Sequence, residues 1–234
     1  MKRNVSLSEI SDGRLYGEND MVRADCHGCR GCFQCCEGMG TSVILDPYDV
    51  YRLESGTGKK LSQLLAEGYV ELNVVDGIIL PNLRMAGDEE RCAFLNTAGR
   101  CSIHGSRPGI CRLFPLGRYY ENGDYRYFLQ VGECRENARS KVKVNKWIDT
   151  PDQGQYHKFI CQWHYFLNGL EEAVAENPVS ETAKQINLLL LQIFYLTSYS
   201  ENENFFEQFK ERMEGDGRTL LNMKGNLIQT KEGK

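Results

Sequence analysis

Five cysteines crowd into one short stretch, Cys26-His27-Gly28-Cys29-Arg30-Gly31-Cys32-Phe33-Gln34-Cys35-Cys36. Thiolates are soft ligands for zinc and iron, and repeated, overlapping C-x2-C spacing is a strong signal for binding such ions. A single helix cannot aim all five at one centre. Three residues along an α-helix turn about 300°, so each cysteine drifts about 60° from the one before. Gly28 and Gly31 favour tight turns instead, and such turns point backbone N–H groups at sulfur. Downstream lie Cys92, Cys101, Cys111, Cys134 and Cys161. Arg100 precedes Cys101, and Arg107 and Arg112 flank Cys111. Neighbouring cations lower a thiol's pKa and favour the thiolate.

The compartment decides how ten cysteines in 234 residues are read. Met1-Lys2-Arg3-Asn4-Val5-Ser6 has the basic start of a signal peptide without an apolar stretch after it, so a cytoplasmic, reducing setting is expected. There, clustered cysteines are metal or redox groups more often than disulfides, and a chain this long needs no staples. With 28 basic against 32 acidic residues the net charge is −4, which disfavours a broad nucleic-acid-binding face. No apolar run reaches the ~18 residues of a membrane span.

Cys26, Cys29, Cys32 and Cys36 match the bacterial ferredoxin run C-x2-C-x2-C-x3-C. Glu37 follows where that run has proline, and no second copy exists, so a ferredoxin fold is rejected while an iron–sulfur cluster is kept. A broader pattern is more specific. It comprises CxxCxxCC at Cys29, Cys32, Cys35 and Cys36, CxFL at Cys92 to Leu95, CxIH at Cys101 to His104, and RPxxCRxFP at Arg107 to Pro115. Together these blocks resemble the YkgJ-type cysteine-cluster family, described as a zinc- or iron-chelating domain. The chain departs from the pattern in its extra Cys26 and in His104, where many members carry tyrosine.

The resemblance implies metal binding through Cys29, Cys32, Cys35, Cys36, Cys92, Cys101, Cys111 and Cys134. Flagellin lysine N-methylases share this type of cluster, which makes protein-lysine methylation with S-adenosylmethionine as donor one candidate activity. The residues themselves add little to that activity. There is no G-x-G-x-x-G after a strand and no C-x3-C-x2-C radical pattern, since Met39 stands where its third cysteine belongs. Eight cysteines suffice for two four-ligand centres or for one cluster with spare thiols. Adjacent residues of an extended chain point opposite ways, which would send Cys35 and Cys36 to different centres. Crowded cysteines beside Phe33, Phe94 and Phe114 favour an iron–sulfur cluster, whereas His104, at C-x2-H spacing from Cys101, would fit zinc.

Cys26, Cys161 and His104 are further candidate ligands that spacing alone leaves open. Arg107 and Arg112 either bind the carboxylate of a substrate or cofactor or neutralise thiolate charge. His157 and His164, seven residues apart on one helix face, read as structural. No catalytic residue is identified. Three functions stay open: an iron–sulfur enzyme that modifies a protein or peptide, a zinc or iron–sulfur module that binds a protein partner, and metal storage or delivery through exchangeable ligands.

The elements that must position these residues follow from local signals. Ser8 to Gly13 suggests a short helical turn. Asp46-Pro47 opens a helix through Tyr48, Val50, Tyr51 and Leu53, and Gly56 and Gly58 stop it. Leu61, Leu64 and Leu65 mark a second helix ending at Gly68. Asp76-Gly77 joins the strands Tyr69 to Val75 and Ile78 to Leu83, and Asn122-Gly123-Asp124 joins a second hairpin. From Trp147 onward helices dominate: one through Phe159, Trp163, Phe166 and Leu170, one from Ser180 to Tyr199, and one through Phe205, Phe209 and Met213. The tail after Gly215 reads as polar and frayed. The expected fold is α+β, an irregular metal-centred half with short hairpins (1–140) followed by a helical half packed on it (141–234).

Overall fold

The computed structural model describes residues 6–26, 32–134 and 139–229. Helix α1 (Leu7–Ile10) and strand β1 (Met21–Asp25) lead into the first cysteines. Helix α2 (Pro47–Thr57) starts as its sequence dictates. The Asp46 carboxylate accepts from Asp49 N at 2.8 Å, and the Asp49 carboxylate accepts from Asp46 N at 3.2 Å. This reciprocal cap satisfies donors that the first turn leaves without partners. Gly58, at φ +68°, ends the helix in the left-handed region. Helix α3 (Leu61–Ala66) follows, its first N–H held by the buried Glu54 carboxylate.

Strands β2 (Val70–Val75) and β3 (Ile78–Leu83) pair across Asp76-Gly77, both at positive φ, which places Val75 opposite Ile78. Gly77 also admits close packing: a Cβ there would lie 2.9 Å from Val174 Cγ1. Strands β4 (Met85–Ala86) and β5 (Arg91–Cys92) form a short ladder, followed by helix α4 (Gly109–Leu113). Strands β6 (Leu116–Glu121) and β7 (Asp124–Leu129) make the second long hairpin, turning at Asn122-Gly123. Strand β8 (Ser140–Lys143) returns to pair antiparallel with β1, with Met21 opposite Lys143 and Asp25 opposite Ser140. The cysteine-bearing half is thus tied at both ends by one ladder, a long-range pairing that local signals do not reveal.

Helix α5 (Val144–Ile148) leads to the long α6 (Gln153–Glu176), then to α7 (Glu181–Leu191), α8 (Phe205–Arg212) and α9 (Arg218–Gln229). Ser180 caps α7 by accepting from Ala183 N at 3.0 Å. The apolar pattern predicts one helix from Ser180 to Tyr199. The α-helix instead gives way to a π-turn over Gln192–Leu196, which seats Phe194 and Tyr195 in the core. The tail after Gly215 is not frayed where it is described. It forms α9, packed on α6 and α7 with Leu220 fully buried. Its few apolar residues are enough once a neighbouring face is available, and composition alone does not reveal that face.

The fold is α+β, with hairpins in the N-terminal half and helices in the C-terminal half. One buried apolar cluster runs through both halves, from Val22, Leu45 and Leu53 to Trp163, Phe194 and Phe209. Among the described residues no helix is long and apolar enough to cross a membrane.

Candidate metal centre

Cys35 and Cys36 sit on a single 3-10 turn, Gln34–Cys36, closed by Cys36 N donating to Phe33 O at 2.8 Å. The extended geometry that would have separated them is therefore absent. The next residues dock this turn on β5. Glu37 bridges to Arg91, whose Nε donates to Glu37 Oε1 at 2.7 Å, and Gly38 N donates to Glu90 O at 3.0 Å. The Arg91 guanidinium also lies over the Phe33 ring, 5.6 Å from its centroid. Arg91 immediately precedes Cys92, so this docking brings the first cysteine group to the second.

Cys101 reaches the same place through the turn at 96–100. Leu95 bridges to Cys101, and the Asn96 side chain accepts from Ala98 N at 3.0 Å and Arg100 N at 2.9 Å. Gly99 adopts φ +67° and presses on Phe33, so that a Cβ there would lie 2.9 Å from the ring. Cys111 is carried by α4. The buried Asp49 carboxylate accepts from Gly109 N at 2.6 Å, so the first residue of α4 is anchored by α2.

Cys32, Cys35, Cys36, Cys92, Cys101 and Cys111 line one cavity of about 370 Å³, and none is in a disulfide. Met39, Leu83, Met85 and Phe114 supply much of its apolar wall. Cys29 lies outside the described residues. Cys134 is half-buried and lies outside the described lining of this cavity. Cys26 is buried just before the cluster.

The two arginines part company. Arg107 lines the cavity, as does His104, and Arg107 Nη1 lies 3.3 Å from His104 Nε2. Arg112 is buried outside it and donates to the carbonyls of Arg107, Gly105 and Asp149. It acts there as a strut between α4, the His104 turn and the chain after α5. Arg52, missed by sequence reasoning, also donates to Gly105 O at 2.6 Å. A lone arginine on a helix surface carries no signal for that task.

The thiols feel one another. The hydrogen bond between Cys35 and Cys36 favours ionisation of Cys35, lowering it to about 7 with help from Arg107, and pushes Cys36 up. Burial raises Cys92, Cys101 and Cys111, and the neighbouring thiolates raise each further. Such a set resists carrying several negative charges at once, and a bound cation removes that resistance. Burial and the nearby Arg107 hold His104 below the usual imidazole range, which favours the neutral ring, whose one unprotonated nitrogen either accepts from Arg107 or binds an ion. The donor set therefore suits zinc or iron.

Comparison with known proteins agrees. A family model described as "CxxCxxCC: Putative zinc- or iron-chelating domain" matches residues 28–145. No curated protein and no solved structure gives a significant match. The matched segment takes in the CxxCxxCC run, the later cysteines through Cys134 and the returning β8, so the chain belongs to this family of zinc- or iron-chelating domains.

Proposed function

We propose that the cysteine cavity holds an iron–sulfur cluster and leaves one side of it open to a small molecule. The observation that carries this reading is the meeting of six thiols on one cavity of about 370 Å³. A single metal ion needs less than the ~30 Å³ share of one water, and structural zinc sites close around it with four ligands. This cavity falls in the size range of ligand pockets, about 300–1,000 Å³. We assign the cluster to Cys35, Cys92, Cys101 and Cys111, since Cys35 raises the pKa of the other three across the cavity, with Cys32 and Cys36 on the same lining. The cluster would supply electron-transfer or Lewis-acid chemistry. Arg107 offsets thiolate charge and presents a cation to an anionic group entering the cavity. The apolar wall limits water.

Protein or peptide modification by methyl transfer is one use of such a site. It requires S-adenosylmethionine to bind the loaded protein, and equilibrium dialysis against the labelled donor tests this; no binding removes that branch. A second reading rests on His104. A mixed cysteine and histidine set suits zinc in a module that binds a protein partner. Anaerobic purification followed by elemental analysis and an absorption spectrum separates the two. Iron with labile sulfide and a broad visible band supports the cluster. Zinc alone with a flat visible spectrum overturns it.

A further inference from the structure

A different constellation joins the β6–β7 hairpin to α6. Asp124 opens β7 directly after the Asn122-Gly123 turn. His157 and Cys161 lie four residues apart on α6 and so share a face. The fold places a carboxylate oxygen of Asp124, a ring nitrogen of His157 and the sulfur of Cys161 all within 4.8 Å of one another. His157 Nε2 lies 2.6 Å from Asp124 Oδ1, and Cys161 Sγ lies 3.7 Å from the same oxygen. On the other side of the ring, His157 Nδ1 lies 3.1 Å from Glu18 Oε1. Tyr125 stacks on the imidazole at 4.3 Å, and Tyr165 Oη accepts from Gly123 N at 3.0 Å, which holds the turn against α6.

We propose that Asp124, His157 and Cys161 form a second metal site, separate from the cysteine cavity, for a borderline divalent cation such as zinc. None of the three lines the cysteine cavity, and His157 and Cys161 lie beyond the family match. Carboxylate, imidazole and thiolate are the three ligand types that zinc accepts. Glu18 supplies the hydrogen-bond partner that metal-bound histidines use. A hydrogen bond from Nδ1–H to Glu18 fixes the ring, and a bound ion takes the place of the proton between Nε2 and Asp124 Oδ1. The rival reading, a nucleophilic cysteine activated by histidine, fits worse. Both ring nitrogens face carboxylates, and Cys161 faces a carboxylate where an activated thiol needs a cation. Burial and Asp124 push the Cys161 thiol up to about 11. A bound cation turns this repulsive pairing of carboxylate and thiolate into coordination, with release of the thiol proton and of the proton between His157 Nε2 and Asp124. Three protein ligands leave a position for water, and the exposed Asp124 opens the site to solvent.

The test uses the untagged full chain with its cysteine cavity loaded, equilibrated with Zn²⁺, dialysed and analysed for metals beside Cys161→Ser and His157→Gln. The expected result is one equivalent of zinc fewer in each variant, with the remaining metal content equal in all three proteins. In the unsubstituted chain, Zn²⁺ should also slow iodoacetamide labelling of Cys161 by roughly tenfold, since a coordinated thiolate is a poor nucleophile. Equal zinc in all three proteins, or labelling of Cys161 at the same rate with and without Zn²⁺, overturns the site. Because the first readout is a difference between proteins, it is independent of which metal fills the cysteine cavity.

Discussion

Arg107 and Arg112 stand on either side of Cys111 and have separate tasks, which substitutions should separate. Arg112 is 7% exposed and donates to three backbone carbonyls. Arg112→Met leaves those acceptors without charged donors and should cost about 2–4 kcal/mol, read by denaturant unfolding. Arg107→Met removes a partly exposed cation and should change stability by less than about 1 kcal/mol, while weakening metal retention measured against a competing chelator. Among the thiols, alanine at Cys35, Cys92, Cys101 or Cys111 should each strip most of the metal from the purified protein, by elemental analysis. Retention of full metal by any of the four would remove that residue from the ligand set.

At the scale of elements, the site depends on short segments held by contacts from longer ones. Helix α4 is too short to be stable alone, and Asp49 of α2 fixes its start. Burial raises the Asp49 carboxyl to about 6, against the hydrogen bonds from Gly109 and Asp46 that favour its ionised form. The folded state therefore holds this proton to higher pH than the unfolded chain. The group contributes stability below about pH 4 that is lost as pH rises towards about 6. Asp49→Asn keeps an acceptor for Gly109 N and removes the titration. Its melting temperature should gain on that of the parent between about pH 4 and about pH 6, and parallel curves would contradict this account. The turn at 96–100 makes a second test. Gly99→Ala imposes a left-handed conformation on a residue with a Cβ, and that Cβ would meet Phe33. It should cost about 1–2 kcal/mol and lower metal affinity as well, because Phe33 leads into the Cys35–Cys36 turn.

At the scale of the whole molecule, the pairing of β1 with β8 closes the cysteine half into a loop-rich unit, and the shared core fastens it to α6–α9. Metal removal should act unevenly on such a structure. Chelation should lower the melting temperature and expose residues 84–115 to limited proteolysis first, with the α6–α9 region cut last; simultaneous cleavage of both regions would count against the division. Much of this organisation was legible in advance. Thiolate chemistry and its spacing marked the metal-binding half, and Asp46-Pro47, Asp76-Gly77 and Asn122-Gly123 announced their cap and turns because each acts through residues adjacent in the chain. The packing of α9, the strut formed by Arg112, the anchoring of α4 by Asp49 and the approach of Asp124 to His157 and Cys161 were not legible. Each depends on residues that meet only after distant segments pack, and no local pattern encodes which distant partner a buried charge or a short helix will find.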